Sequence, residues 1–148
     1  MCFLLYAGTM KPIPRIEFDE NAPNLNVVSL NEHDAAIRTH FSQPEVQYIG
    51  STSCCGCDFP HLMMQNGEWP FFRDPRRDAE RDASDRHNME ALVGLLLATR
   101  EKLVELYGIW DGNFAKTPRA REDVSLESLL DPDFHFKEGG FYTVSLEG

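Results

Sequence analysis

The sequence is poor in positive charge. Fourteen Lys and Arg stand against 24 Asp and Glu, a net charge of −10. Affinity for nucleic acid rests mainly on neutralising phosphates with cations, so DNA and RNA are excluded as expected partners, as are anionic membrane surfaces. Long apolar runs are also missing. The longest, Ala91 to Ala98, falls far below the ~20 residues of a bilayer span and reads as a buried helix. The opening Met-Cys-Phe-Leu-Leu-Tyr-Ala-Gly has no basic region and too short an apolar stretch for a secretory signal. The expected location is therefore the cytoplasm, where cysteines are thiols or ligands rather than a disulfide framework. Ser51 and Ser53 lack a Gly-x-Ser-x-Gly elbow, and no glycine-rich phosphate loop or internal repeat is present.

What is present suits a folded chain. With 148 residues, 42% of them hydrophobic and 26% charged, a single domain over 1–148 is expected, large enough for a core without covalent staples. Phe3 to Ala7, Leu25 to Leu30 and Val46 to Ile49 read as strands. Between the last two, Asn31 can cap a helix over Glu32 to Phe41 that Pro44 ends. The clearest element follows Asp85 as N-cap, with Met89, Leu92, Val93, Leu96 and Leu97 on one helical face. Val104 to Trp110 alternates as a strand, Asp111-Gly112 turns the chain, and Asn113 to Asp123 is polar and irregular. Leu126 to Leu130 suggests one helical turn, and Gly139-Gly140 introduces a final strand from Phe141 to Leu146. The expected class is α+β or α/β: one mixed sheet of about five strands, two main helices and two crossover connections.

An irregular segment at about 59–85 holds Pro60, Pro70 and Pro75, the aromatics Trp69, Phe71 and Phe72, and a run of alternating charges from Arg73 to Asp82. Its length exceeds what compact domains usually allow a loop. It reads as a solvated connector, with packing or partner binding as the roles open to its aromatics.

The unusual local feature is Ser51-Thr52-Ser53-Cys54-Cys55-Gly56-Cys57-Asp58, three thiols directly after a predicted strand. Adjacent Cα atoms lie about 3.8 Å apart, below the disulfide window of about 4.4–6.8 Å, so a Cys54–Cys55 bond would be strained. Cys55 and Cys57 bridge more easily, and Gly56 at positive φ would let both converge. A zinc ion favours four ligands, so Cys55 and Cys57 would recruit from Cys54, Cys2 and His61. Thiolates also suit Cu(I). No second Cys-x2-Cys pair or His-x3-His pair completes a standard spacing. A thiol redox enzyme using Cys55 and Cys57 is the competing reading, and a purely structural interaction protein, a homo-oligomer or a module for a protein partner, is the third. His33 with His40 and His87 with Glu90 have helical ligand spacing, although surface or core-edge roles account for them. Asp131-Pro132-Asp133 reads as a turn.

Cys2 after Met1 is similar, in the head segment alone, to N-terminal-nucleophile hydrolases such as class II glutamine amidotransferases; no further motif of those enzymes follows. A wider likeness rests on Met1-Cys2 with Leu4-Leu5-Tyr6, Tyr48-Ile49-Gly50-Ser51, Cys55-Gly56-Cys57, Phe59, Glu105-Leu106-Tyr107, Trp110-Asp111-Gly112 and Phe141-Tyr142-Thr143-Val144. Together these resemble a group of small uncharacterised bacterial proteins with a Cys-Gly-Cys loop and no known function. In that pattern glycines flank the Cys-Gly-Cys core, so Cys54 and Asp58 are departures. The resemblance implies that Cys55 and Cys57 matter more than Cys54.

Overall fold

Two strands, β1 (Phe3–Thr9) and β5 (Leu103–Trp110), are buried on both faces; this accounts for the apolar run at Phe3 to Ala7, while the alternation read at Val104 to Trp110 is covered on both sides. The computed structural model describes residues 2–64, 67–69 and 79–146. β1 pairs antiparallel with β5 on one side and with β3 (Glu45–Gly50) on the other. With β2 (Asn26–Ser29), β6 (Ala120–Ser125) and β8 (Gly140–Ser145), they form one six-stranded sheet in the order β2-β3-β1-β5-β8-β6. All neighbours are antiparallel except β6 and β8, so the sheet is mixed. A second, two-stranded parallel sheet joins β4 (His61–Leu62) to β7 (Phe136–Lys137).

One face of the main sheet carries Phe3, Leu5, Ala7, Val104 and Leu106 and packs against Met89, Leu92, Val93 and Leu96 of α1 (Ala79–Ala98). The other face carries Tyr6, Val46, Tyr107, Ile109 and Phe141 under Ile37 and Phe114. The fold is α+β, with one main helix among the described residues. Where a second helix is expected, residues Ala35–His40 form a 3-10 helix. Asn31 is not its N-cap, a position that Asp34 takes; instead its Oδ1 accepts the amides of His33 and Asp34 at 2.8 and 3.3 Å in the turn before the helix. Asp34 is tied to the sheet by the Tyr6 hydroxyl, 3.0 Å away.

Three expectations are corrected. β2 and β3 are antiparallel neighbours, so their connection is not a crossover; the connection through α1 joins β3 to β5, which run parallel on either side of β1. Asp85 is not the N-cap, because α1 begins at Ala79 and Asp85 lies buried within it. Ahead of Asp85 the helix is rich in charge and carries no apolar stripe, so periodicity is silent there. β6 begins inside the segment read as irregular, Asn113 to Asp123, and runs on to Ser125. As a sheet edge it alternates half-buried and exposed residues, with Arg121, Glu122 and Asp123 at its centre. Phe71, Phe72 and most of the alternating-charge run lie outside the described residues. Trp69 is described: its indole N–H donates to the Glu138 carbonyl at 3.3 Å, and Lys137 Nζ lies 5.2 Å from its ring centre. No helix among the described residues is long and apolar enough to cross a membrane.

Candidate metal centre

β3 ends at Gly50, where any Cβ would lie 2.5 Å from both the Asn26 side chain and the Cys54 carbonyl. The following loop is wound around Ser51, which is fully buried. The Ser51 amide donates to the Cys55 carbonyl at 2.7 Å, and its hydroxyl donates to the same oxygen. Ser51 Oγ in turn accepts the amides of Ser53 and Asp58 at 3.3 and 3.4 Å. Asn88 of α1, also fully buried, pins the loop from outside. Its Oδ1 accepts the Thr52 amide at 2.9 Å, and its Nδ2 donates to Thr52 Oγ1 at 3.1 Å and the Ser84 carbonyl at 2.8 Å.

Gly56 brings this loop to β1. Its amide donates to the Phe3 carbonyl at 2.8 Å, and a Cβ would stand 2.7 Å from that oxygen. Positive φ belongs instead to Cys54, at 74°, whose carbonyl accepts the Tyr48 hydroxyl at 2.6 Å. The glycine is thus required by close approach rather than by a left-handed backbone. Because Cys2 directly precedes Phe3, the same approach sets Cys55 and Cys57 beside it. Cys2 is held in register by its carbonyl, which accepts the Asp111 amide at 2.9 Å.

The result is a cluster of Cys2, Cys55 and Cys57, all half-buried, whose Sγ atoms lie within 4.8 Å of one another. Sulfurs on one tetrahedral zinc ion, each about 2.3 Å from the metal, stand about 3.8 Å apart, so a small contraction suffices. None of the four cysteines is in a disulfide. Two expected ligands do not join the group. Cys54 is exposed outside it, at its left-handed turn. His61 is held by β4, with Nδ1 2.7 Å from the Phe59 carbonyl and its ring stacked flat on Phe3 at 4.6 Å.

The three sulfurs are electrostatically unequal. Burial opposes ionisation of Cys55, but hydrogen bonds from the Cys57 thiol, Ser53, the Cys57 amide and Cys2 outweigh it, and its pKa is lowered. The Cys57 amide lies 3.4 Å from Cys55 Sγ, and Ser53 Oγ 3.6 Å. Cys57 is pushed up to about 12, first by burial and then by its hydrogen bond to Cys55, with the Phe3 backbone pulling the other way. Cys2 is also raised, first by its hydrogen bond to Cys55 and then by burial. Metal-free, Cys55 is the most readily ionised of the three sulfurs, with the Cys57 and Cys2 thiols as donors to it. Tyr48, raised by burial and by the four cysteines, stays a neutral phenol beside it.

The other candidate residues are structural. His40 Nε2 lies 2.8 Å from the Phe114 carbonyl, and the rings of His40 and His33 pack edge-on against Tyr107 and Phe114. His87 and Glu90 are exposed on α1 and belong to no group of three ligands among the described residues. Asp131 Oδ1 accepts the Asp133 amide at 2.8 Å, the turn its proline suggests. The residues that sequence reasoning missed are Asn88, a buried polar position that with Asp85 interrupts the apolar helix face, and Ser51, which carries the loop's internal hydrogen bonds. The polar break at Asn88 was the available signal.

Fold and site together define an α+β protein with a three-thiol cluster at the start of its central strand. Comparison with family models, curated proteins and solved structures gave no significant match.

Proposed function

We propose that this protein is a metal-binding module in which Cys2, Cys55 and Cys57 hold one thiophilic ion, zinc in the first instance. The observation that carries the reading is the approach of three Sγ atoms to within 4.8 Å of one another from two separate parts of the chain. An all-sulfur donor set suits zinc and Cu(I) and disfavours Mg, Ca and Mn, which prefer oxygen. The Cys-Gly-Cys core behind the resemblance to small bacterial proteins supplies two of the three sulfurs. A reducing compartment such as the cytoplasm would keep all three available. The experiment is metal analysis of protein purified without chelator, with single Cys→Ser variants. One equivalent of zinc that is lost in Cys2→Ser, Cys55→Ser and Cys57→Ser and kept in Cys54→Ser is the expected result. Metal-free protein that fails to take up zinc or Cu(I) under reducing conditions overturns the reading.

A second reading is thiol exchange, favoured by the Cys57 N–H···Sγ contact at 3.4 Å beside a Cys55 thiol of lowered pKa. There Cys55 thiolate attacks an external disulfide, releasing one of its thiols. Cys57 then loses its proton and displaces the second, leaving a Cys55–Cys57 disulfide. A reversible two-electron titration that survives Cys2→Ser supports this second reading, because only the metal site needs Cys2.

A further inference from the structure

We infer that the ion bound by Cys2, Cys55 and Cys57 keeps an open fourth coordination position, filled from solution by a small thiol. This inference rests on the metal-binding reading and adds to it the class of ligand the site accepts.

The described residues offer three donors. Among the described residues no further His, Cys, Asp or Glu joins the three sulfurs within 4.8 Å of one another. The two other ligands that the sequence suggests, Cys54 and His61, are held elsewhere, and Asp58 Oδ2 accepts the Thr52 hydroxyl at 3.4 Å. The Cys54 backbone is tied at both ends, its amide donating to the Ser51 carbonyl at 2.9 Å and its carbonyl accepting the Tyr48 hydroxyl at 2.6 Å. His61 is registered opposite Phe136 in the two-stranded sheet and lies parallel to the Phe3 ring, with an interplanar angle of 1°. Neither belongs to the three-sulfur group.

Zinc with four protein ligands is closed, whereas zinc with three takes its fourth from solvent and exchanges it. The cluster permits exchange because all three cysteines are only partly buried. Its chemistry selects the incoming group. Three thiolates make the ion a soft centre, and with a chain charge of −10 they repel hard anions such as carboxylates and phosphates. A thiol binds as its thiolate, displacing the bound water and losing its proton to solvent.

The test uses the full chain loaded anaerobically with one equivalent of Co(II), whose ligand-field and sulfur-to-metal charge-transfer bands report coordination, and 2-mercaptoethanol as the probe. The expected result is three-sulfur intensity that rises saturably by about one third as the thiol binds, in the wild type and in Cys54→Ser alike. A spectrum indifferent to the thiol overturns the open position while leaving the metal site standing. So does a Cys54→Ser variant that loses about one quarter of the initial intensity, which would make Cys54 the fourth ligand. No charge-transfer band at all overturns the metal reading and this inference with it.

Discussion

Replacing Gly56 with alanine tests whether the approach of the cysteine loop to β1 assembles the cluster. The new Cβ would meet the Phe3 carbonyl oxygen at 2.7 Å, Phe3 Cδ2 at 3.1 Å and the carbonyl carbon at 3.2 Å. Two of these three atoms are backbone inside the central sheet, so they cannot rotate away. Reaching an ordinary 3.4 Å contact requires the loop to retreat by about 0.7 Å. That displacement carries the Gly56 amide, now 2.8 Å from the Phe3 oxygen, to the edge of hydrogen-bonding range. Losing the bond costs about 1 kcal/mol, and the overpacking adds about 1–2 kcal/mol. Chelator-treated Gly56→Ala is therefore expected to be less stable by about 2–3 kcal/mol in urea unfolding, with Tm lower by roughly 6–10 °C. Cys55 and Cys57 flank the displaced residue while Cys2 stays on β1, so zinc affinity measured against a chromophoric chelator should weaken by about 10–100-fold. Stability within about 0.5 kcal/mol of wild type, with unchanged zinc affinity, would refute the claim that this contact builds the site.

Three other outcomes follow from the same geometry. Asn88→Ala removes the acceptor of the Thr52 amide and should cost about 1–3 kcal/mol by calorimetry, with weaker zinc binding although Asn88 touches no sulfur. Zinc binding must displace the protons that Cys2 and Cys57 hold through their raised pKa values. Affinity should therefore rise by at least about 100-fold per pH unit between pH 6 and 8 in competition titrations. Without metal the dependence reverses at high pH. The Cys57 thiol ionises near 9 when unfolded and near 12 when folded, so from pH 9 upward the unfolded chain holds fewer protons and stability falls. Unfolding midpoints between pH 9 and 10, where the buried tyrosines, also raised, add a drop of their own, should fall in the chelated wild type and fall less in Cys57→Ser. An equal drop in both would show that Cys57 is not the group responsible.

Much of the fold was legible where burial leaves a one-dimensional trace. The stripe from Met89 to Leu96 marks the packed half of α1, with Leu97 of the same reading left exposed, and the apolar run at Phe3 to Ala7 and the alternation at Val104 to Trp110 mark strands covered on both faces. The trace failed where burial was slight. β6 at the sheet edge and the charged start of α1 present no apolar pattern, and the Ala35–His40 segment has helical spacing without the length of an α-helix. The site followed the same division. Cys55-Gly56-Cys57 was visible as a local motif, and Cys2 could be named as a ligand from its chemistry. That Cys2 joins the cluster while Cys54 does not depends on β1 meeting the loop at Gly56, a contact between residues some fifty positions apart that no local spacing encodes. Gly56 itself was recognised as special for its φ, whereas its missing side chain is what matters.

The central claim is that three particular sulfurs share one ion and the fourth cysteine stands apart. Brief alkylation of the zinc-loaded protein, followed by peptide mapping, tests it most directly. The account predicts modification of Cys54 alone, with Cys2, Cys55 and Cys57 protected until a chelator is added, after which all four react. Equal labelling of Cys2, Cys55 and Cys57 with and without zinc would contradict it.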